Sequence, residues 1–435
     1  MMQIENIIFT IVFIIAVGLF IKNLKKIISN IKLGTDINRS DNKGLRLKNM
    51  FRVALGQSKM FDRPIAAFLH LLIYVGFVII NIEVIEIIID GVFGTHRFLA
   101  HIINPSLYSF LIASFEILAF LVLFSCVIFL IRRNILKIKR FWSKEMTKWP
   151  KTDANLILIF EILLMSAFIL MNTSDQILQS RNIDHYIVAG SFPISSLFVP
   201  FLDFLDVSSL IFIERLTWWF HILGILAFLN YVLISKHLHI FFAFPSTYYA
   251  NISNLGKFDN LKSVTNEVKL MLYPNADPFA APQNTDTSNP TLFGAKDASD
   301  LNWVQLLNAY SCTECGRCSS VCPANQTGKL LSPRKVMMDT RDRIEEIGKN
   351  KNENNYLLGN YITKEELWAC TTCNACTDAC PINLDPLSII IDLRRYLVME
   401  ESAAPSELNN MFSNVENNGA PWQFPAADRL KWTED

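Results

Sequence analysis

The chain has 435 residues, is 51% hydrophobic with 32 phenylalanines, and carries 40 basic against 40 acidic side chains, so its formal net charge is zero. Such a composition departs from that of an ordinary soluble protein. No stretch reads as a basic nucleic-acid surface and no glycine loop of the common phosphate-binding kinds is present, which sets nucleic acid aside as a partner.

The neutral total hides a division near Phe244. Before it, apolar runs alternate with basic loops; after it, the chain is polar, asparagine-rich and holds eight of the nine cysteines. Segments 4–21, 64–89, 105–131, 154–171 and 210–244 are each apolar and long enough for a bilayer, which takes about 20 helical residues. The first begins with Glu5 and no base, and no small-residue cleavage site follows, so it is expected to remain as a span. Basic residues set the orientation. The loop after the first span holds Lys22, Arg39, Lys59 and Arg63 among others, and the loop after the third holds Arg132, Arg133, Arg140 and Lys144, whereas the remaining loops offer only Arg97 and Arg181. The expected topology places the N-terminus outside and the cysteine-bearing part in the cytoplasm, in a bacterial inner membrane.

Histidines in the spans suggest haem. If 210–244 is one helix, the eighteen positions from His221 to His239 make about five turns, so both project from one face about 27 Å apart, with His237 pointing elsewhere. His70 lies about 9 Å inside the second span and His239 about 8 Å inside the fifth, both from the cytoplasmic side, and the pair is expected to hold one b-type haem. At the level of His221 the second span offers Ile80 and Asn81, neither an imidazole; either His96 or His101 folds back to serve a second haem, or that haem is absent. Glu83, Glu86, Glu116 and Glu161 also lie in spans, where a charge costs roughly 3 kcal/mol, so each is expected to be a neutral acid bonded to a neighbouring helix. Glu83 or Glu86 as a proton relay is the functional alternative.

Residues 245–298 read as a linker without sustained periodicity. A helix near Ser299, carrying Trp303, Leu306 and Leu307, is expected to lead into Cys312. From there the pattern CxxCxxCxxxCP occurs twice: Cys312, Cys315, Cys318 and Cys322 before Pro323, then Cys370, Cys373, Cys376 and Cys380 before Pro381. This spacing places three thiolates on one cubane and sends the fourth to the other, giving two 4Fe-4S clusters ligated by Cys312, Cys315, Cys318 and Cys380, and by Cys370, Cys373, Cys376 and Cys322. Structural zinc prefers two separated pairs of ligands. Disulfides would consume the metal ligands, so a reducing compartment is implied. Cys126, in an apolar run, reads as a buried small hydrophobe. Between the runs, Ser332 and Pro333 look like the N-cap and first residue of a helix, 348–355 looks like a solvated loop, and a further helix is expected from about Asp385.

The cysteine runs, SPRKVMMDTRD at 332–342, PLSIIIDLRRYL at 386–397 and LNNMFSNVENNGAPW at 408–422 resemble the iron-sulfur subunit of heterodisulfide reductases and related alpha-helical ferredoxin domains. The first half, through His70, His221 and SKHLH at 235–239, is similar to the diheme membrane subunit of respiratory nitrate reductases and to the membrane cytochrome of heterodisulfide reductase. The resemblance implies haem ligation by His70, His221 and His239, but departs at Ile80, where the nitrate reductase pattern has a histidine. It also implies a cytoplasmic partner carrying CCG-type cysteine motifs or a flavin, since this chain has no Cys-Cys-Gly.

The resulting expectation is an all-α protein: a five-span cytochrome b-like domain (1–244), a linker (245–298), a dicluster 4Fe-4S domain (299–400) and a partner-docking tail (401–435). It would carry electrons between quinone, as substrate in the membrane lipid, and a cytoplasmic redox partner. A membrane-anchored redox sensor or scaffold without turnover is the alternative, and it needs no haem.

Overall fold

The computed structural model describes residues 4–253, 256–273, 292–350 and 354–434. Among these, every regular element is a helix and no β-strand occurs. The order is α1 (Ile4–Ile31), α2 (Lys43–Met50), α3 (Pro64–Phe93), α4 (Pro105–Leu130), α5 (Trp149–Ser180), α6 (Val207–Val232), α7 (His239–Tyr249) and α8 (Lys262–Leu272). Helices α1, α3, α4, α5 and α6 are long and apolar enough to cross a membrane. Their starts are written locally: Pro64 and Pro105 occupy first-turn positions where no N–H is needed, Asn104 accepts from the Ser106 N–H, and Asp206 accepts from those of Ser208 and Ser209. The five close into a ring, with α1 packed on α3 and α6, α3 on α4, α4 on α5, and α5 on α6.

Three spans depart from the sequence expectation, α5 by starting at Trp149 and running on to Ser180 where 154–171 is expected. Helix α1 runs ten residues past position 21, and its last turns bury Ile27, Asn30 and Ile31 in the core of the cysteine domain. The fifth span is not one helix. It ends at Val232, the chain turns through Ser235, and α7 starts anew at His239. Buried Asp153 on α5 enforces the break, accepting the Tyr231 hydroxyl at 2.6 Å and the Lys236 N–H at 3.1 Å. The continuous 27 Å ladder from His221 to His239 is therefore not realised.

The second half contains α9 (Trp303–Ser311), α10 (Arg317–Val321), α11 (Pro323–Gln326), α12 (Pro333–Ile347), α13 (Lys364–Trp368), α14 (Ala375–Asp378), α15 (Pro386–Met399) and α16 (Ser406–Asn418). Helix α9 starts four residues later than expected because Asn302 and Gln305 form a capping box. Ser332 caps α12 and Asp385 caps α15, each followed by proline, as the sequence predicts. Residues 351–353 of the expected loop lie outside the described residues. Helices α9, α12 and α15 share one apolar core, which continues without a gap into Ile27, Ile31, Leu233, Leu238 and Phe242. The expected linker therefore begins too early: α7 crosses position 245 and packs on α9 and α2. Of the rest of that segment, 254–255 and 274–291 lie outside the described residues. Helix α16 buries none of its side chains.

Candidate redox site

In each cysteine run two residues sit in the left-handed region, Glu314 (φ 55°) and Gly316 (φ 70°) in the first, Thr372 (φ 55°) and Asn374 (φ 61°) in the second. These turns bend the chain around its thiols and aim backbone N–H groups at sulfur, as the Thr372 N–H does at Cys370 Sγ, 3.4 Å away. Cys312, Cys315, Cys318 and Cys380 border one small cavity, closed by Ile382 and Leu384. Burial raises the Cys370 thiol, and the neighbouring thiols acting on it are Cys322 and Cys373. The fold thus groups the cysteines as three from one run with the last of the other. Cys376 also borders the first cavity, so the two sets adjoin. Burial pushes the thiols of Cys312 and Cys376 up to about 12 and that of Cys380 to about 11. Among the described residues no three His, Cys, Asp or Glu side chains converge on a point one ion could fill.

The structure brings His70 of α3 and His239 of α7 together, with ring centroids 6.4 Å apart. The two ring planes are tilted 41° to one another. In each ring Nδ1 is occupied: His70 bonds Gln57 Oε1 at 3.0 Å and His239 the Lys236 carbonyl at 2.9 Å. With an oxygen acceptor at each Nδ1, both rings carry their proton there and leave Nε2 as the free acceptor nitrogen. His237 does not point away as expected. Its ring stands 5.7 Å from that of His239 and edge-on to Phe228, and its buried Nδ1 has no hydrogen-bond partner among the described residues.

The residues that hold these histidines also hold the first cysteine loop. Lys236, whose carbonyl orients His239, donates from Nζ to Glu314 at 2.7 Å, and Glu314 lies between Cys312 and Cys315. Arg341 binds the other Glu314 oxygen at 2.9 Å. Burial alone raises the Glu314 carboxyl, but Lys236 and Arg341 more than offset it and hold it below the ordinary range. On the other side Arg317, between Cys315 and Cys318, donates to the carbonyls of Lys59 at 2.9 Å and Met60 at 3.3 Å, just beyond Gln57. Arg334 completes the contact, donating to the Arg140 carbonyl, Ser143 and Glu145 at 2.6–2.8 Å. The cysteine domain thereby sits on the end of the bundle that carries the basic loops. Lys236, Glu314 and Arg317 have no sequence signal beyond nearness to a candidate ligand, and Gln57, thirteen positions before His70, has none.

At the opposite end the expected ligands do not assemble. His221 is buried, donates from Nδ1 to the Leu164 carbonyl at 3.0 Å and faces Phe168; among the described residues no second histidine ring stands against it. His96 does not fold back to it: Nε2 engages Asp175 at 3.1 Å and Nδ1 the Ile187 N–H at 3.3 Å, so neither nitrogen is left for iron. Glu116 binds Ser195 and the N–H groups of Ile194 and Ser195, and Glu86 binds Tyr108 and the Leu99 N–H, both as bonded acids within the bundle. Cys126 is 1% exposed among apolar neighbours.

Fold and site together define a helical membrane protein whose extramembrane half is a 4Fe-4S dicluster domain, and residues 308–384 match the sequence profile of that domain. The chain is 29% identical to the probable iron-sulfur-binding oxidoreductase FadF of Bacillus subtilis, over 98% of this chain and 60% of that protein. It is 26% identical to the EtfAB:quinone oxidoreductase of Syntrophomonas wolfei, over 92% of this chain and 55% of that one. One component of the ferredoxin/F(420)H(2)-dependent CoB-CoM heterodisulfide reductase of Methanosarcina acetivorans is 34% identical over 23% of the chain and 52% of its own length. The chain thus spans less than two thirds of the relatives it matches most fully. No solved structure matches it significantly. These relationships establish homology to iron-sulfur oxidoreductases and a role for the dicluster domain in electron transfer.

Proposed function

We propose that the chain links the quinone pool to a cytoplasmic redox partner, holding two 4Fe-4S clusters and, between His70 and His239, one b-type haem. The observation that carries this reading is the double tether: both histidine segments are bound to the loop that holds Cys312, Cys315 and Cys318, by Lys236 to Glu314 and by Arg317 to Lys59 and Met60. A one-electron haem beside a cubane supplies a relay across the membrane boundary. The protein's own part is to fix the imidazole tautomers through Gln57 and Lys236, to bury the thiols, and to exclude water from the contact. The basic loops on the cluster side support a cytoplasmic orientation in a bacterial inner membrane. Exposed Cys373 supports partner access through the second thiol set. The relative named for EtfAB and quinone supports both ends of the route, and a flavoprotein or CCG-bearing protein is the partner class this reading names.

The test is a reduced-minus-oxidised spectrum of the purified full chain with haem, iron and acid-labile sulfide counts. The expected result is one b-type haem, lost in both His70→Ala and His239→Ala, with the cluster content of the wild type retained. Clusters without any haem would favour a membrane-anchored sensor instead.

A further inference from the structure

At the end of the bundle away from the cysteines, α1, α3, α5 and α6 enclose a cavity of about 350 Å³. Its size falls within the range of small-ligand sites. One wall is aromatic: Trp218 and Trp219 of α6 stand 5.2 Å apart, and Phe9 of α1 packs on both at 5.6 and 6.1 Å. Phe9 can approach because α3 has Gly91 opposite it, where a Cβ would stand 2.6 Å from the ring. The other wall is a row of acids on one face of α3, Glu83, Glu86 and Asp90. Two of the three are engaged: Glu86 by Tyr108 and the Leu99 N–H, Asp90 by Thr95 and the N–H groups of Arg97 and Phe98. Glu83 differs. It is 3% exposed, about 15 Å inside the end of α3, and its Oε2 is buried without a hydrogen-bond partner among the described residues. An unsatisfied carboxyl at that depth is costly, and its position on the cavity wall offers the missing partner to whatever occupies the space. At the exposed side of the cavity stands His185, its ring 5.5 Å from that of His96, which Asp175 holds.

We infer that this cavity is the binding site for a quinone headgroup, with the planar ring against Phe9, Trp218 and Trp219, one carbonyl oxygen hydrogen-bonded to Glu83 and the other directed to His185. The inference rests on the quinone-linked reading above and deepens it by naming the site. Reduction of the quinone takes two electrons, passed one at a time from the haem proposed at His70, thirteen residues or about 20 Å along α3 from Glu83, and two protons, forming two O–H bonds as both carbonyls become hydroxyls. Glu83 gives the first proton and is reprotonated along Glu86 and Asp90; His185 gives the second from the solvent side. Quinol oxidation runs the same transfers backwards.

The experiment uses the full-length protein in lipid nanodiscs with an azido-substituted decylbenzoquinone for photo-cross-linking and decylbenzoquinol as reductant of the clusters. Adducts are expected on α3 near Glu83 and on α6 near Trp219. Glu83→Gln, nearly isosteric and still able to hydrogen-bond the ring oxygen but unable to exchange a proton with it, is expected to slow cluster reduction by about a hundredfold, with cluster content unchanged; Trp219→Leu is expected to reduce adduct yield. Adducts elsewhere, with Glu83→Gln at the wild-type rate, would overturn the site while leaving quinone linkage intact. Failure of the quinol to reduce the wild type at all would overturn the quinone reading and this inference with it.

Discussion

A Cβ at position 316 would collide with a guanidinium nitrogen of Arg334, and the backbone there holds φ at +70°. The first cysteine loop therefore depends on glycine twice, for a left-handed turn and for the approach of the arginine that binds the loop after α4. Gly316→Ala should destabilise the domain by about 1–3 kcal/mol, seen as a lower thermal midpoint and as iron lost on purification. Gln57 acts at one remove. Its amide oxygen holds the His70 Nδ1, and outer-shell partners of ligating histidines contribute about 10–100-fold in affinity. Gln57→Leu should weaken haem retention by that order, measured by competition with an apo-haem protein, while the cluster absorbance stays. Cysteines and histidines stood out as candidate ligands because metal chemistry admits few side chains. Gln57, Lys236, Glu314 and Arg317 were not, because a common polar residue gains its role only from its partner. Glu314 finds Lys236 from 78 positions away, and Arg317 finds Lys59 from 258.

At the scale of elements, what the sequence made legible was what neighbours decide. Ser332-Pro333 and Asp385-Pro386 mark helix starts within a single turn, and the structure has α12 and α15 there. The break after Val232 was hidden because an apolar run gives no sign of Asp153 on another helix taking the Lys236 N–H. The overrun of α1 was hidden likewise, since Asn30 is polar but finds the Tyr310 hydroxyl at 2.9 Å in the distant domain. A pH dependence belongs to this level. Burial raises the Glu145 carboxyl, yet the hydrogen bond and charge of Arg334 bring it below its ordinary 4.5. The folded state thus binds fewer protons at this site than the unfolded state, so the pair's stabilisation is full above about pH 4.5 and is lost as pH falls through the depressed folded value. Arg334 is buried and Glu145 half-buried, with side chains 1% and 14% exposed. Wild type minus Glu145→Gln thermal midpoints should differ near neutral pH and converge in acid. A difference that persisted unchanged in acid would remove this pair as its cause.

Across the whole molecule, membrane and cysteine halves form one body, since a single apolar core takes Ile27, Ile31 and Phe242 from the first and Leu306, Val336 and Leu393 from the second. That continuity makes the two thiol sets unequal. The set of Cys312, Cys315, Cys318 and Cys380 lies against the bundle, roofed by the Arg317, Lys236 and Arg334 contacts. In the set of Cys370, Cys373, Cys376 and Cys322, Cys322 and Cys376 are buried but Cys373 is exposed, the most open of the eight thiols. Oxidative attack on a cysteine ligand follows its accessibility, and a sheltered centre outlasts an open one of the same chemistry. Brief exposure of the purified chain to air should therefore halve the iron and acid-labile sulfide in a distinct first phase, with the remaining cluster still reducible. Cys373→Ala should remove that first phase, because the labile centre is then absent from the start. Cys315→Ala should leave the fast phase and abolish the slow one. Equal loss of both clusters in one phase would mean that the set with Cys373 is as protected as the set against the bundle, and that the partner reaches the chain by another face.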